Sequence, residues 1–266
     1  MSILQVVLKS LREMLWPRRF LPFFLLYFSL ALALYGLLFP IVKIIFSPIT
    51  SQFLILDIIL IFLIFIFGLL VNLWFIAALV ESVKTKNFER SLNRVKKSYL
   101  QLIALSLVTI SLSLITSLFS AFKTLIRLVL DWILFFSLPA IVLDRLSFEK
   151  GIKKSFHLFR KKMVETIVFW FINRSIIFVL ILIFIFSLFF IAALSMTSVL
   201  TLDKFQNLES SQKTFILLLS NSSFMLSIIF LAALFLSFIT AFDYSSRAYY
   251  FLELTKGKKK RKGRRK

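Results

Sequence analysis

The sequence contains no cysteine, five glycines, five prolines and a single histidine, His157. Without cysteine there are no disulfides, no thiolate metal site and no cysteine nucleophile, although that absence does not identify a compartment. His157 has no partner motif: H-E-x-x-H, G-x-S-x-G and a glycine-rich phosphate loop are all missing. Acidic residues are scarce too, 12 Asp+Glu against 33 Lys+Arg, for a formal net charge of +21. No catalytic constellation and no cofactor-binding motif emerges, so an enzyme is not expected. Paired intramembrane aspartates could make a protease, but Asp57 and Asp131 lack the Gly-x-Gly-Asp-like surroundings of such sites. Within the apolar segments, past Pro22 in the opening turn of the first, the helix breakers reduce to Gly36, Gly68 and Pro139. Few breakers argue against the interrupted half-helices that hold substrate at the midplane of many transporters.

What is abundant is apolar surface. Hydrophobic residues make up 60% of the chain, and the mean hydropathy is +0.95. The excess lies in blocks at 20–39, 53–80, 99–122, 125–143, 175–194 and 224–242. A helix needs roughly 20 mainly apolar residues to cross the hydrocarbon core. A closed barrel is the only other way across, and it would show short segments of alternating polarity. Runs such as 58–67 do not alternate. The expected class is therefore all-α, a polytopic membrane bundle of about six transmembrane helices. One domain spans 1–255, followed by a disordered basic tail at 256–266. Ala31-Leu32-Ala33 mimics a signal-peptidase site, but the apolar run continues to Phe39, which suits an anchor better.

In a soluble protein this charge would suggest nucleic acid. Here the cations alternate between loops. Lys9, Arg12, Arg18 and Arg19 precede the first block. Lys84, Lys86, Arg90, Arg94, Lys96 and Lys97 follow the second. Arg145, Lys150, Lys153, Lys154, Arg160, Lys161 and Lys162 follow the fourth. The intervening loops hold only Lys43, then Lys123 and Arg127, then Lys204 and Lys213. Basic loops face the cytoplasm, so both termini are expected on the cytoplasmic side of the plasma membrane.

Three basic stretches also have amphipathic helical spacing. Leu4, Leu8, Leu11 and Leu15 oppose Lys9 and Arg12; Phe88, Leu92, Val95 and Tyr99 oppose Arg90, Arg94 and Lys97. In the third, Ile152, Phe156, Phe159 and Met163 oppose Lys153, Lys154, His157, Arg160 and Lys161. Such helices lie in the inner interface, apolar side down, with cations among the headgroups. The unit reads as an interfacial helix plus a helical hairpin, repeated three times.

The segment Leu143-Asp144-Arg145-Leu146-Ser147-Phe148-Glu149-Lys150-Gly151-Ile152-Lys153-Lys154-Ser155-Phe156 closes a span on an acid, then starts a helix that ends in basic-Ser-aromatic. With Ala248-Tyr249-Tyr250 near the last span, it resembles a broad set of uncharacterised archaeal and bacterial multi-pass proteins. It is also similar to the membrane domain attached to some bacterial glycerophosphodiester phosphodiesterases. The resemblance covers most of the chain through short, degenerate motifs. It implies a fold and no activity, and the catalytic domain of those enzymes has no counterpart here.

Ionisable groups within a membrane are costly and often functional. Arg174 falls at an inner boundary, where arginine snorkels. Asp243 pairs by spacing with Arg247, and Asp131 with Arg127, while Asp57 lies near the outer face; all read as boundary residues. No charge is expected at mid-membrane, which disfavours a coupled transporter. Asn72 suits an interhelical hydrogen bond. Ser106, Thr109, Ser113, Thr116 and Ser120 form one hydroxyl face on the third span, and Ala233, Ser237 and Ala241 a shorter small-residue face on the last. Small residues let backbones approach, so packing seams are expected, with a pore lining as the sharper alternative.

The tail, with Lys258, Lys259, Lys260, Arg261, Lys262, Arg264 and Arg265, self-repels and favours disorder and contact with anionic headgroups. RNA of a ribosome is its alternative target. The sequence reading is a non-enzymatic integral membrane protein whose basic cytoplasmic collar, including Lys153, Lys154, Arg160 and Lys161, contacts anionic lipid or a cytoplasmic protein. The alternatives are a transporter or channel, and a ribosome-tethered membrane insertion factor.

Overall fold

The computed structural model describes residues 2–45, 52–117, 123–200 and 222–263. These residues form ten α-helices and contain no strand. In chain order they are α1 (Ile3–Met14), α2 (Pro17–Ile45), α3 (Gln52–Thr85), α4 (Phe88–Val95) and α5 (Tyr99–Ser117). There follow α6 (Lys123–Leu134), α7 (Ser137–Asp144), α8 (Phe148–Lys161), α9 (Met163–Leu200) and α10 (Ser222–Gly263). A single 3-10 turn, Lys96–Ser98, joins α4 to α5.

Six helical segments are long and apolar enough to cross a bilayer: Pro17–Leu37, Ile58–Thr85, Phe88–Ser117, Lys123–Asp144, Met163–Ala193 and Phe224–Thr255. The chain is a multi-pass α-helical membrane protein. Large side chains such as Phe62, Phe67, Phe186, Phe189 and Phe190 are exposed. In water they would drive aggregation; among lipid tails they face a solvent as apolar as themselves.

Local chemistry explains where the helices start and stop. Ser2 and Gln5 form a reciprocal capping box at α1, with Gln5 N–H donating to Ser2 Oγ at 3.3 Å and Ser2 N–H to Gln5 Oε1 at 3.0 Å. Asn87 caps α4 by accepting from Arg90 N–H at 3.1 Å. Lys86 (φ 59°) and Arg145 (φ 52°) adopt the left-handed conformation that ends α3 and α7. The short helices α1, α4 and α8 occupy the three amphipathic stretches named above.

Two compact units are distinguished. The first comprises Met1–Pro22, Leu69–Ser175 and Thr240–Lys266. It holds α1, the whole of α4 to α8, and a core built on Leu79, Leu102, Phe136, Ile141, Phe169, Phe242 and Phe251. The second comprises Phe23–Gly68 and Ile176–Ile239. There Phe230 packs edge-on against Phe24 (5.2 Å) and Phe28 (6.1 Å), and Phe184 lies 5.4 Å from Phe235. Gly68 admits Leu30 so closely that a Cβ would meet its methyls at 2.9 Å. Ala233 and Ser237 are buried in this unit and Ala241 in the first, so the small face of the last span is a packed one.

The fourth span departs from expectation: it is interrupted at Phe135–Phe136, between α6 and α7. The reason lies four residues on. Pro139 has no N–H for the Phe135 carbonyl, and its ring crowds that carbonyl. The apolar blocks also understate helix length. α9 has 38 residues, about 57 Å at 1.5 Å per residue, so it extends well past the block at 175–194.

Candidate functional site

The polar chemistry of the first unit centres on α8 and the interrupted fourth span. α8 has three faces where two are expected. Gly151, Ser155 and Leu158 are buried against the protein. Lys153, His157, Arg160 and Lys161 are exposed. Between them Phe156 is exposed and Ile152 and Phe159 are half-buried, and Met163 and Val164 just beyond are exposed too. α4 and the turn after it bury Ser91, Val95 and Ser98 at the same offsets from Phe88 as the α8 trio from Phe148. α1 buries Val6, Val7, Ser10 and Met14, leaving Leu4, Leu8, Leu15 and Trp16 exposed. The sequence pattern found the apolar and basic faces. It missed the small protein-facing one, whose signal is the Ser10, Ser91, Ser98, Gly151 and Ser155 set.

That small face meets the interruption directly. Ser155 Oγ accepts from Phe136 N–H at 3.0 Å and donates to Ile133 C=O at 2.5 Å. One hydroxyl thus satisfies a donor and an acceptor at the break, where unpaired backbone groups would be costly. Beside it, a Cβ on Gly151 would lie 2.5 Å from Ile141 Cγ1, so only glycine permits this approach. Lys154 pairs with Asp144 at the end of α7 and lies 5.4 Å from the Phe251 ring centroid. Trp132 of α6 stacks on Phe159 of α8 at 6.3 Å.

The other two short helices are also tied down. Trp74 Nε1 donates to Leu92 C=O at 3.2 Å, and the hydroxyls of Thr85 and Ser91 are 2.6 Å apart. Glu81, buried, faces Arg94 at 3.8 Å. In α1, Glu13 pairs with buried Arg19 and accepts from the Tyr249 hydroxyl, while Lys9 lies over the Tyr249 ring at 4.4 Å.

A second constellation joins α9 to α10. Asn173 Nδ2 donates to Asp243 Oδ1 at 2.6 Å, and Ser246 Oγ donates to Asn173 Oδ1 at 2.7 Å. Arg247 forks onto Asp243, with Nε donating to Oδ1 at 3.0 Å and Nη2 to Oδ2. Its guanidinium lies 4.7 Å from the Phe135 ring centroid and 5.3 Å from that of Tyr244. Phe135 sits about 18 Å along the span from Lys123 and about 14 Å from Asp144. The Asp243–Arg247 pair expected from spacing is present, and it is largely shielded, with Arg247 packed against Phe135 of the fourth span. The physical reason is compensation: both carboxylate oxygens and the Asn173 carbonyl are engaged, which offsets the cost of burying charge. Asn173 was legible only as one polar residue next to the more conspicuous Arg174. Arg174 itself is half-buried over Trp170 at 5.7 Å. Arg127 and Asp131, the other spaced pair, are both exposed and are not paired with each other among the described residues.

The remaining expected positions divide. Thr116 is buried and Ser106 half-buried, whereas Thr109 and Ser113 are exposed. Thr109 and Thr116 donate within their own helix, to Leu105 C=O (2.8 Å) and Ser113 C=O (2.9 Å). The hydroxyl face therefore makes a narrower seam in this chain than the pattern implied, because helical hydroxyls can satisfy themselves locally. Asn72 is half-buried. Ser120, Arg264 and Arg265 lie outside the described residues, as do the side chains of Asp57, Lys258, Lys259, Lys260, Arg261 and Lys262; the α10 backbone is helical to Gly263. Among the described residues, no three His, Asp or Glu side chains gather to hold a metal ion.

No family model matches this chain. Comparison with curated proteins and with solved structures likewise finds no match. The resemblance to the phosphodiesterase membrane domain stands on the quoted motifs alone.

Proposed function

We propose that this is a non-enzymatic plasma-membrane protein whose inner face binds anionic lipid headgroups through the collar formed by α1, α4 and α8. The observation that carries this reading is the division of α8 into protein-facing small residues, exposed apolar residues and exposed cations. An interfacial helix needs these three surfaces when it is docked on its own protein while resting among headgroups. Each exposed cation near an anionic leaflet contributes up to about 1 kcal/mol of attraction. Native mass spectrometry of the purified protein is expected to retain more phosphatidylglycerol than phosphatidylcholine. Replacing Lys153, Arg160 and Lys161 together by Gln is expected to remove most of that preference. Equal retention of the two lipids by the unaltered protein would sink the reading.

The reading also requires the collar and both termini to be cytoplasmic. In this cysteine-free chain, single cysteines at Ser51 and Ser210 are expected to react with an impermeant thiol reagent in intact cells. Cysteines at Glu89 and Ser147, both exposed in the structure, are expected to stay unlabelled until the membrane is opened. Labelling of Glu89→Cys or Ser147→Cys in intact cells would reverse the orientation.

A transporter or channel is the second reading, favoured by the interrupted fourth span and by the shielded Asp243–Arg247 pair of α10 packed against it at Phe135. The closed hydrogen bonding of Asn173, Asp243 and Ser246 suits a staple between spans better than a solute site. A ribosome-tethered role would rest on the basic tail alone.

A further inference from the structure

We propose that α8 couples the charge of the inner lipid surface to the interruption in the fourth span, with Ser155 as the connecting group. This rests on the lipid-collar reading and assigns it a consequence inside the protein. α8 offers the bilayer its outer surface: Lys153, His157, Arg160 and Lys161 with Phe156 and the adjoining Met163. Its opposite surface is the partner of the break. Ser155 holds Phe136 N–H at 3.0 Å and Ile133 C=O at 2.5 Å, and it is fully buried. Gly151 seats the helix against Ile141 with no room for a side chain.

No compliant element lies between the two surfaces. Ser155 is flanked by Lys154 and Phe156 on one helix, so a shift of α8 toward the headgroups moves the hydroxyl by the same amount. A hydrogen bond weakens steeply with small changes of length and angle, and the break has Ser155 as the connecting group for both backbone atoms. Attraction of α8 to an anionic surface thus changes how well the fourth span is closed at Phe135–Phe136. Tightly packed contacts pass small displacements at a surface on to internal groups. The occupant of the outer face is an anionic bilayer surface, because its cations and apolar side chains lie on adjacent faces of one helix.

Hydrogen–deuterium exchange of the full chain in nanodiscs tests this, comparing pure phosphatidylcholine with a phosphatidylcholine–phosphatidylglycerol mixture. Amides in 133–137 are expected to change exchange rate between the two by about fivefold, the weight of one net hydrogen bond. Ser155→Ala is expected to abolish that difference. Should Ser155→Ala fail to fold, Lys153→Gln with Arg160→Gln and Lys161→Gln leaves the break intact and is expected to abolish it equally. If exchange within α8 responds to phosphatidylglycerol and 133–137 does not, the coupling is overturned while the collar reading survives. If 133–137 still responds in both variants, Ser155 and α8 are not the route. If α8 itself ignores phosphatidylglycerol, the collar reading fails and takes the coupling with it.

Discussion

Replacing Asp243 by Ala is expected to cost about 3–5 kcal/mol, the usual penalty for leaving a buried partner charge uncompensated. The change strands the Arg247 guanidinium, 17% exposed at its side chain, and removes the acceptor of Asn173 Nδ2. Asp243→Asn should be milder, since an amide still offers one acceptor oxygen to Arg247. Joint replacement of Asp243 and Arg247 by Leu and Met should recover much of the loss, because a pair exchanged for apolar residues leaves no charge behind. Thermal unfolding in detergent across the three variants measures this. A double replacement no better than Asp243→Ala would show that the loss comes from the missing Asn173–Asp243 hydrogen bond between α9 and α10 and not from the stranded charge.

Gly151→Ala is expected to destabilise the protein by about 1–3 kcal/mol, the range for overfilling a packed contact. In a free helix the same change would stabilise, because alanine is the better helix former by about 1 kcal/mol. The sign reverses here because the new methyl would sit 2.5 Å from Ile141 Cγ1, near the stem of a fully buried side chain with little freedom to withdraw. Gly36 supplies the control: a methyl added there would have nothing within 4 Å, so Gly36→Ala should be neutral or slightly stabilising. If the two alanine variants melt alike, α8 is not seated on α7 as described.

Much of the architecture could be read from the chain. The six apolar blocks each correspond to a spanning segment, and helices α1, α4 and α8 occupy the three basic amphipathic stretches. These are legible because a bilayer demands long apolar runs with internally satisfied backbones, a requirement written residue by residue. The site was less legible. Pro139 stood only as one of a few helix breakers, because proline is tolerated in spanning helices when neighbours re-satisfy the freed groups. That Phe136 N–H and Ile133 C=O at the break would be met by Ser155 of α8 was not visible. On the third span, Thr109 and Thr116 donate their hydroxyls within their own helix, a choice the residue pattern leaves open.

The helical class, the six segments apolar enough to span and the clustering of cations between them are written in the chain alone, because hydropathy and charge are sums over neighbouring residues. Tertiary structure alone decided which polar groups are buried together. Asn173 and Asp243 lie seventy positions apart, and Glu13 and Tyr249 more than two hundred. Whether such a group is a boundary residue or a buried staple depends on what another helix brings to meet it, and in a low-dielectric interior that partner sets its free energy.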